Sequence, residues 1–191
     1  EDNYYASGSL ESRWLGDGAE KLGLKGEVAN ADMDAIRQGK LPDGTDLSRM
    51  VNGVNKHRSG YDLTFSAPKS VSMMILIGGD TRLLDAWNRS VENGMKEVEK
   101  LISARITDSG KTDTVLTGNM VAALYNHDTS RALDPQIHTH ALVFNTTFAE
   151  DKWRALASDT RMKTGFGENL YALQVAIGNL VLQPFRQEAE K

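Results

Sequence analysis

The stretch from Gln136 to Phe148, QIHTHALVFNTTF, places two of the chain's four histidines one residue apart and runs straight into apolar sequence. As a β-strand it points alternate side chains to opposite faces, so His138 and His140 project together while Thr139 and Ala141 turn towards packed helices. Such a strand requires a sheet with one face sealed and the other left as an exposed surface. A third histidine, His127, stands near the end of TDTVLTGNMVAALYNHD, which reads as a preceding strand containing small residues. A loop through Asp134 and Pro135 joins the two as an antiparallel, hairpin-like unit with a long connection.

The surrounding pattern supplies the other layer. In GYDLTFS, Tyr61, Leu63 and Phe65 alternate with Asp62, Thr64 and Ser66, which predicts a strand with an apolar face and a polar one, ended by Pro68. Val71 to Ile77 is expected to be helical. From Asp80 to Ile106, Leu84, Trp87, Val91, Met95, Val98 and Leu101 recur at steps of three and four, the stripe of a long amphipathic helix. A final helix is expected from about Gly167, with Leu170, Leu173, Ile177 and Val181 in register. The N-terminal third is read as short helices and turns. Gly16, Gly18 and Gly23 interrupt SLESRWLGDGAEKLGLKG, and NADMDAIRQG suggests a helix capped at Asn30 or Asp32, stopped at Gly39 and followed by a Pro42-Asp43-Gly44 turn. Long helices with meander-like strands predict α+β layers in a single domain spanning 191 residues.

Composition narrows the chemistry. Without cysteine, a metal must be held by nitrogen and oxygen ligands, and a reducing compartment, the cytoplasm, is the natural setting. No apolar run approaches the ~20 residues needed to cross a bilayer, and no secretory leader opens the chain. Because it begins with Glu1, not Met, an upstream piece is expected. A net charge of −4 argues against coating nucleic acid by bulk electrostatics. It leaves room for a local groove built from the basic residues of KHRSGYD, SAPKS, HDTSR and DKWRA.

Desolvating three clustered imidazoles is costly unless they share a partner, and one divalent ion satisfies all three. His127, His138 and His140 are therefore the candidate metal ligands, and Asp62 the carboxylate that would orient one of them. The helical H-E-x-x-H spacing of zinc proteases is absent. Neutral ligands leave the ion its full charge, which suits an anionic substrate such as a phosphodiester. Tyr4 and Tyr5 are candidate nucleophiles. With a pKa near 10, a phenol is ionised in about one molecule in a thousand at neutral pH, a handicap of roughly 4 kcal/mol that a base or metal must offset. Two other classes remain open on these residues: a three-histidine zinc hydrolase that activates water, and a DNA-binding module with a structural metal.

Taken together, NYYASGSLESRWLG, LPDGTDLSRM, KHRSGYDLTFSAPKSVSMM, GNMVAALYNHDTSR, DPQIHTHALVFN and WRALASD resemble the relaxase domain of MobF-class conjugative relaxase-helicases, the TraI/TrwC type within the HUH endonucleases. The resemblance covers most of the chain. It implies a central five-stranded antiparallel sheet with helices on one face and a metal and DNA cleft on the other. It also implies site- and strand-specific nicking of plasmid DNA at an origin of transfer. A tyrosine attacks the scissile phosphate, keeps the 5′ end covalently and releases a 3′ hydroxyl, so that religation stays possible. By motif, His127, His138 and His140 hold one divalent ion, magnesium, manganese or another transition metal, with Asp62 beside them. Arg58, Lys69, Arg131, Lys152 and Arg154 are the expected contacts to single-stranded and hairpin DNA, and a fused helicase and accessory relaxosome proteins the expected partners. The family carries two tyrosine pairs, whereas this sequence shows only Tyr4-Tyr5. An N-terminal strand and part of a C-terminal DNA clamp are thus expected to be missing. Other HUH nickases, a replication initiator or a transposase, share the same chemistry.

Overall fold

The computed structural model describes residues 5, 8–130 and 132–157. In chain order it contains β1 (Ser9–Leu15), α1 (Asp17–Lys21), α2 (Asn30–Arg37), β2 (Met50–Val51), β3 (Val54–Asn55), β4 (Gly60–Ser66), α3 (Lys69–Leu76), α4 (Thr81–Glu99), β5 (Ser103–Asp108), β6 (Lys111–Leu116), β7 (Ala122–Thr129), β8 (Pro135–Phe144), β9 (Thr147–Ala149) and β10 (Lys152–Arg154). The class is α+β, as expected. The central sheet has four strands among the described residues, in the antiparallel order β1-β7-β8-β4, and not five.

Strand alternation builds the first core. Leu63 and Phe65 of β4, Leu124 of β7 and Ile137 and Val143 of β8 face Trp87, Val91, Met95 and Val98 of α4, and all are buried. The period-two and period-three-to-four stripes of the sequence meet here. Trp87, 1% exposed, anchors the contact, and truncating a buried aromatic of this kind costs about 3–5 kcal/mol. At the start of β4, Gly60 lies so close to β8 that a Cβ would collide with the Val143 carbonyl oxygen, and its φ of 146° suits glycine alone. This close approach seats β4, and with it Asp62, against the histidine strand.

Four expectations are corrected. Ser9–Leu15 is a strand and not an irregular or helical piece, because its cross-strand bonds to β7 outweigh weak local signals, while Gly16 makes the turn into α1 and Gly18 lies buried within that helix. The long helix stops at Glu99, so Leu101 lies outside it and is 49% exposed, and SARI begins β5. TDTVLTGNMVAALYNHD is two strands: β6 turns back on β5 through Ser109 and Gly110, both at positive φ, and β7 starts afresh at Ala122. Finally, the second face of the sheet is open only in part. Trp14, Met33, Ile36, Tyr125, Leu142, Phe144 and Trp153 form a second buried cluster over it, roofed by α1 and α2. The helix expected from about Gly167 lies outside the described residues.

Candidate metal centre

The three histidines converge where β7 and β8 run together. His127 and His138 are cross-strand partners, and His140 sits one pleat along, between Tyr125 on β7 and Thr64 on β4. Ring centroids are 5.1 Å apart for His127 and His138, 5.5 Å for His127 and His140, and 5.3 Å for His138 and His140. The first two rings stack at 20°, and His140 presents its edge to both.

Each ring is held from behind. His140 Nδ1 lies 3.0 and 3.1 Å from the two carboxylate oxygens of Asp62 and 3.2 Å from Thr64 Oγ1. His138 Nδ1 donates to the Gln136 carbonyl at 3.1 Å. The His127 ring hydrogen-bonds the Tyr5 backbone, and its buried Nε2 has no partner among the described residues. These partners assign the proton to the nitrogen facing the protein, so Nε2 carries the lone pair in all three rings. Burial, and then the neighbouring His138 and His140, push the His127 pKa below the ordinary imidazole value, against a weaker pull from Tyr5 and Asp128.

This donor set fits a divalent ion. Among the described residues no group of three is yet drawn into a finished ligand cage. However, imidazoles bound to one ion at ~2.1 Å leave their centroids about 5 Å apart, the spacing that these three rings already show. The orphaned Nε2 of His127 is the atom that gains most: a buried lone pair without a donor is costly, and a cation satisfies it.

Tyr5 stands over the trio, its ring edge-on to His140 at 5.4 Å and tilted against Tyr125 at 6.0 Å. With Arg37, Ser59, Asp62 and Phe144 it lines a cleft of about 190 Å³. Tyr4 and Arg131 lie outside the described residues. Of the remaining cations, Lys69 is at the histidine end, donating to the Pro135 carbonyl at 2.9 Å. Arg58 stacks on Tyr61 at 4.5 Å near the other end of β4. Lys152 and Arg154 lie on the β9–β10 hairpin beyond Phe144. Phe144 is four residues past His140, so the hairpin is roughly 13 Å or more from the rings. Arg154 is engaged by Glu150 at 2.7 Å and the Ala149 carbonyl at 3.2 Å. The roles of Thr64 and Tyr125 were not read from sequence. Their signal was position alone, on the same strand faces as Asp62 and His127.

An antiparallel sheet that gathers three imidazoles under a tyrosine defines a class, the histidine-cluster domains of the relaxase kind. Residues 1–191 match the family model described as TrwC relaxase. The chain is 54% identical over 189 residues to the multifunctional conjugation protein TraI of Escherichia coli (strain K12), covering 99% of this chain and 11% of that protein. Two solved structures of the conjugative relaxase TrwC in complex with oriT DNA are similar throughout. The metal-bound one gives a TM-score of 0.84 at 34% identity, over 98% of this chain and 63% of that one. The copper-bound one gives 0.82 at 36% identity, over 99% and 62%. The chain thus spans about a tenth of TraI and less than two thirds of the TrwC chains. It belongs to the TrwC relaxase family.

Proposed function

We propose that this chain is the DNA-nicking domain of a conjugative relaxase, cutting one strand at an origin of transfer by tyrosine transesterification and able to rejoin it. The observation that carries this reading is the convergence of three rings whose Nδ1 atoms are already committed, with a tyrosine ring directly against one of them. His127, His138 and His140 would hold the divalent ion through Nε2. When bound, that ion supplies Lewis-acid polarisation of a phosphate oxygen.

The rest of the chemistry falls to the chain's own residues. Asp62 accepts the Nδ1 proton of His140, which fixes the ring's tautomer and direction and makes it a better donor. Tyr5, or Tyr4 beside it in sequence, attacks phosphorus through its phenolic oxygen as the P–O3′ bond breaks. The phenol loses a proton and the leaving O3′ gains one. One phosphodiester replaces another, so the reverse step rejoins the strand. Burial on the Tyr125 and Phe144 side shields the nucleophile from bulk water. Lys69 meets the phosphate chain at the histidine end. Arg58, Lys152 and Arg154 would be reached by DNA that follows the strands to the other end, as a folded hairpin arm would. The TrwC structures are complexes with oriT DNA, one metal-bound and one copper-bound, which supports both the substrate and the cofactor. We read a helicase and accessory relaxosome proteins as partners, and the cytoplasm as the setting. Among the described residues no helix is long and apolar enough to cross a membrane.

The test is a labelled single-stranded origin oligonucleotide incubated with the chain and Mn²⁺, then resolved on a denaturing gel. A slower, DNA-bearing protein band is expected. It should vanish in the Tyr4→Phe/Tyr5→Phe double variant and on chelation. Absence of any covalent band from the parent chain defeats the reading.

A further inference from the structure

Behind the imidazoles, on the opposite face of the same two strands, lies a buried polar chain that the chemistry above does not use. Trp87 Nε1, on α4, donates to Thr139 Oγ1 at 3.1 Å. Thr139 Oγ1 donates to Asn126 Oδ1 at 2.8 Å, and Asn126 Nδ2 donates to Asn88 Oδ1 at 2.9 Å and reaches Glu11 Oε2 at 3.5 Å. Trp87, Thr139 and Asn126 are 1%, 0% and 3% exposed.

The direction of this chain is forced. An indole nitrogen only donates, so the Thr139 hydroxyl must accept from it and pass its own proton to the Asn126 carbonyl oxygen. The Asn126 amide is thereby turned with its NH₂ towards Asn88 and Glu11. The chain links α4, β8, β7 and β1 at one level of the sheet.

That level is the histidines' own. Thr139 lies between His138 and His140, Asn126 precedes His127, and Thr139 and Asn126 are cross-strand partners. One step further, the β7–β8 register shifts between His127 and Thr129. The ladder therefore loses its regularity right beside the ligands, where a slip of one residue would turn the rings to the wrong face. An apolar pair under the rings would pack as well but would not be directional, whereas the hydrogen-bonded chain admits one register and one pleat.

Resting on the metal reading above, we infer that Thr139, Asn126 and Trp87 are positioning residues of the metal centre, setting the convergence of His127, His138 and His140 from the far side of the sheet. Thr139→Val keeps the shape and β preference of the side chain but removes an acceptor from Trp87 and a donor from Asn126. Thr139→Ser keeps the hydroxyl.

The experiment titrates the parent chain and both variants with Co²⁺, following the visible ligand-field spectrum and the heat of binding. Val98→Ala, in the same core at the far end of α4, serves as a control for plain loss of stability. The expected result is Co²⁺ affinity lower by about tenfold in Thr139→Val with an altered spectrum, the scale typical of groups that support ligands from outside the coordination sphere. Recovery is expected in Thr139→Ser, and parental affinity in Val98→Ala. If Thr139→Val does not fold, Trp87→Phe removes the chain's first donor and is read the same way. Parental affinity and spectrum in the folded variant overturn the inference, as does a loss no greater than that of Val98→Ala. Failure of the parent chain to bind Co²⁺ at all overturns the metal reading itself, a distinct result.

Discussion

The two ends of a single sheet face invite comparison. On β7 and β8 the same pleat carries Leu142 and Phe144 towards one end and His138, His140 and His127 towards the other. Backbone pairing is regular from the Phe144 end as far as His127 and His138, and shifts register just beyond them. At the Phe144 end the face is sealed under Trp14, Met33, Ile36 and Trp153. At the histidine end it is bordered by Asp62 and Thr64 and stays reachable, with the His140 and Asp62 side chains 13% and 31% exposed. One ladder thus divides into a half that supplies stability and a half that supplies chemistry. Regular pairing runs from the sealed half up to the His127–His138 pair, which is how the sealed half holds the rings in place.

Two substitutions should pull the halves apart. Phe144→Ala, at a site 1% exposed, is expected to lower the unfolding free energy by about 3–5 kcal/mol in a urea titration, while the folded fraction still binds metal with parental affinity. Asp62→Asn should do the opposite. Its midpoint in urea should stay near the parental value, and metal affinity measured by calorimetry should fall by about 10- to 100-fold as the His140 ring loses its anionic partner. If Phe144→Ala were to abolish metal binding in the folded state, the division would be wrong.

Much of the chemical half was legible in the sequence, because a period of two is unambiguous: HTH and GYDLTFS put His138, His140, Asp62 and Thr64 on known faces. That His127 would stand directly opposite His138 required the register, which depends on where the loop of residues 130–134 turns, a tertiary matter. Of the sealed half little could be read. Trp14 lies on a strand whose partner is far away in sequence, since Trp14 pairs with Ala123, and glycines nearby mimic a broken helix. The β5–β6 ribbon was hidden for a related reason. Its Ser-Gly turn follows a helical stripe without a stop signal, so the periodic reading ran on past Glu99.

Proton binding should sharpen the same comparison. The folded state holds the His127 pKa below its ordinary value of ~6.5. Above that pH both folded and unfolded chains carry neutral imidazole, and the contribution to stability is fully present. As pH falls, the unfolded chain takes up a proton that the folded one refuses, so the metal-free protein loses stability from ~6.5 down to the lowered folded value. The slope from this one group is at most about 1.4 kcal/mol per pH unit. Urea titrations across pH 7 to 5 should show His127→Gln with a flatter profile than the parent. Phe144→Ala should move the whole curve down and keep its slope, because Phe144 itself has no proton to exchange.

The smallest expected effect lies in the cations at the two ends. Lys69 is at the histidine end, where it donates to the Pro135 carbonyl. Arg154, on the hairpin beyond Phe144, already spends its guanidinium on Glu150 and the Ala149 carbonyl. A short oligonucleotide seated over the rings should release a counterion to Lys69 and none to Arg154. Fluorescence anisotropy over a range of salt should therefore show Lys69→Ala reducing the log–log slope by about 0.7, the single-strand value per phosphate contact, and Arg154→Gln leaving it unchanged. Lengthening the oligonucleotide with a hairpin arm extends the comparison. If Arg154→Gln then changes the slope while Lys69→Ala keeps its effect, the DNA runs the length of the ladder, and the sealed half serves recognition as well as stability.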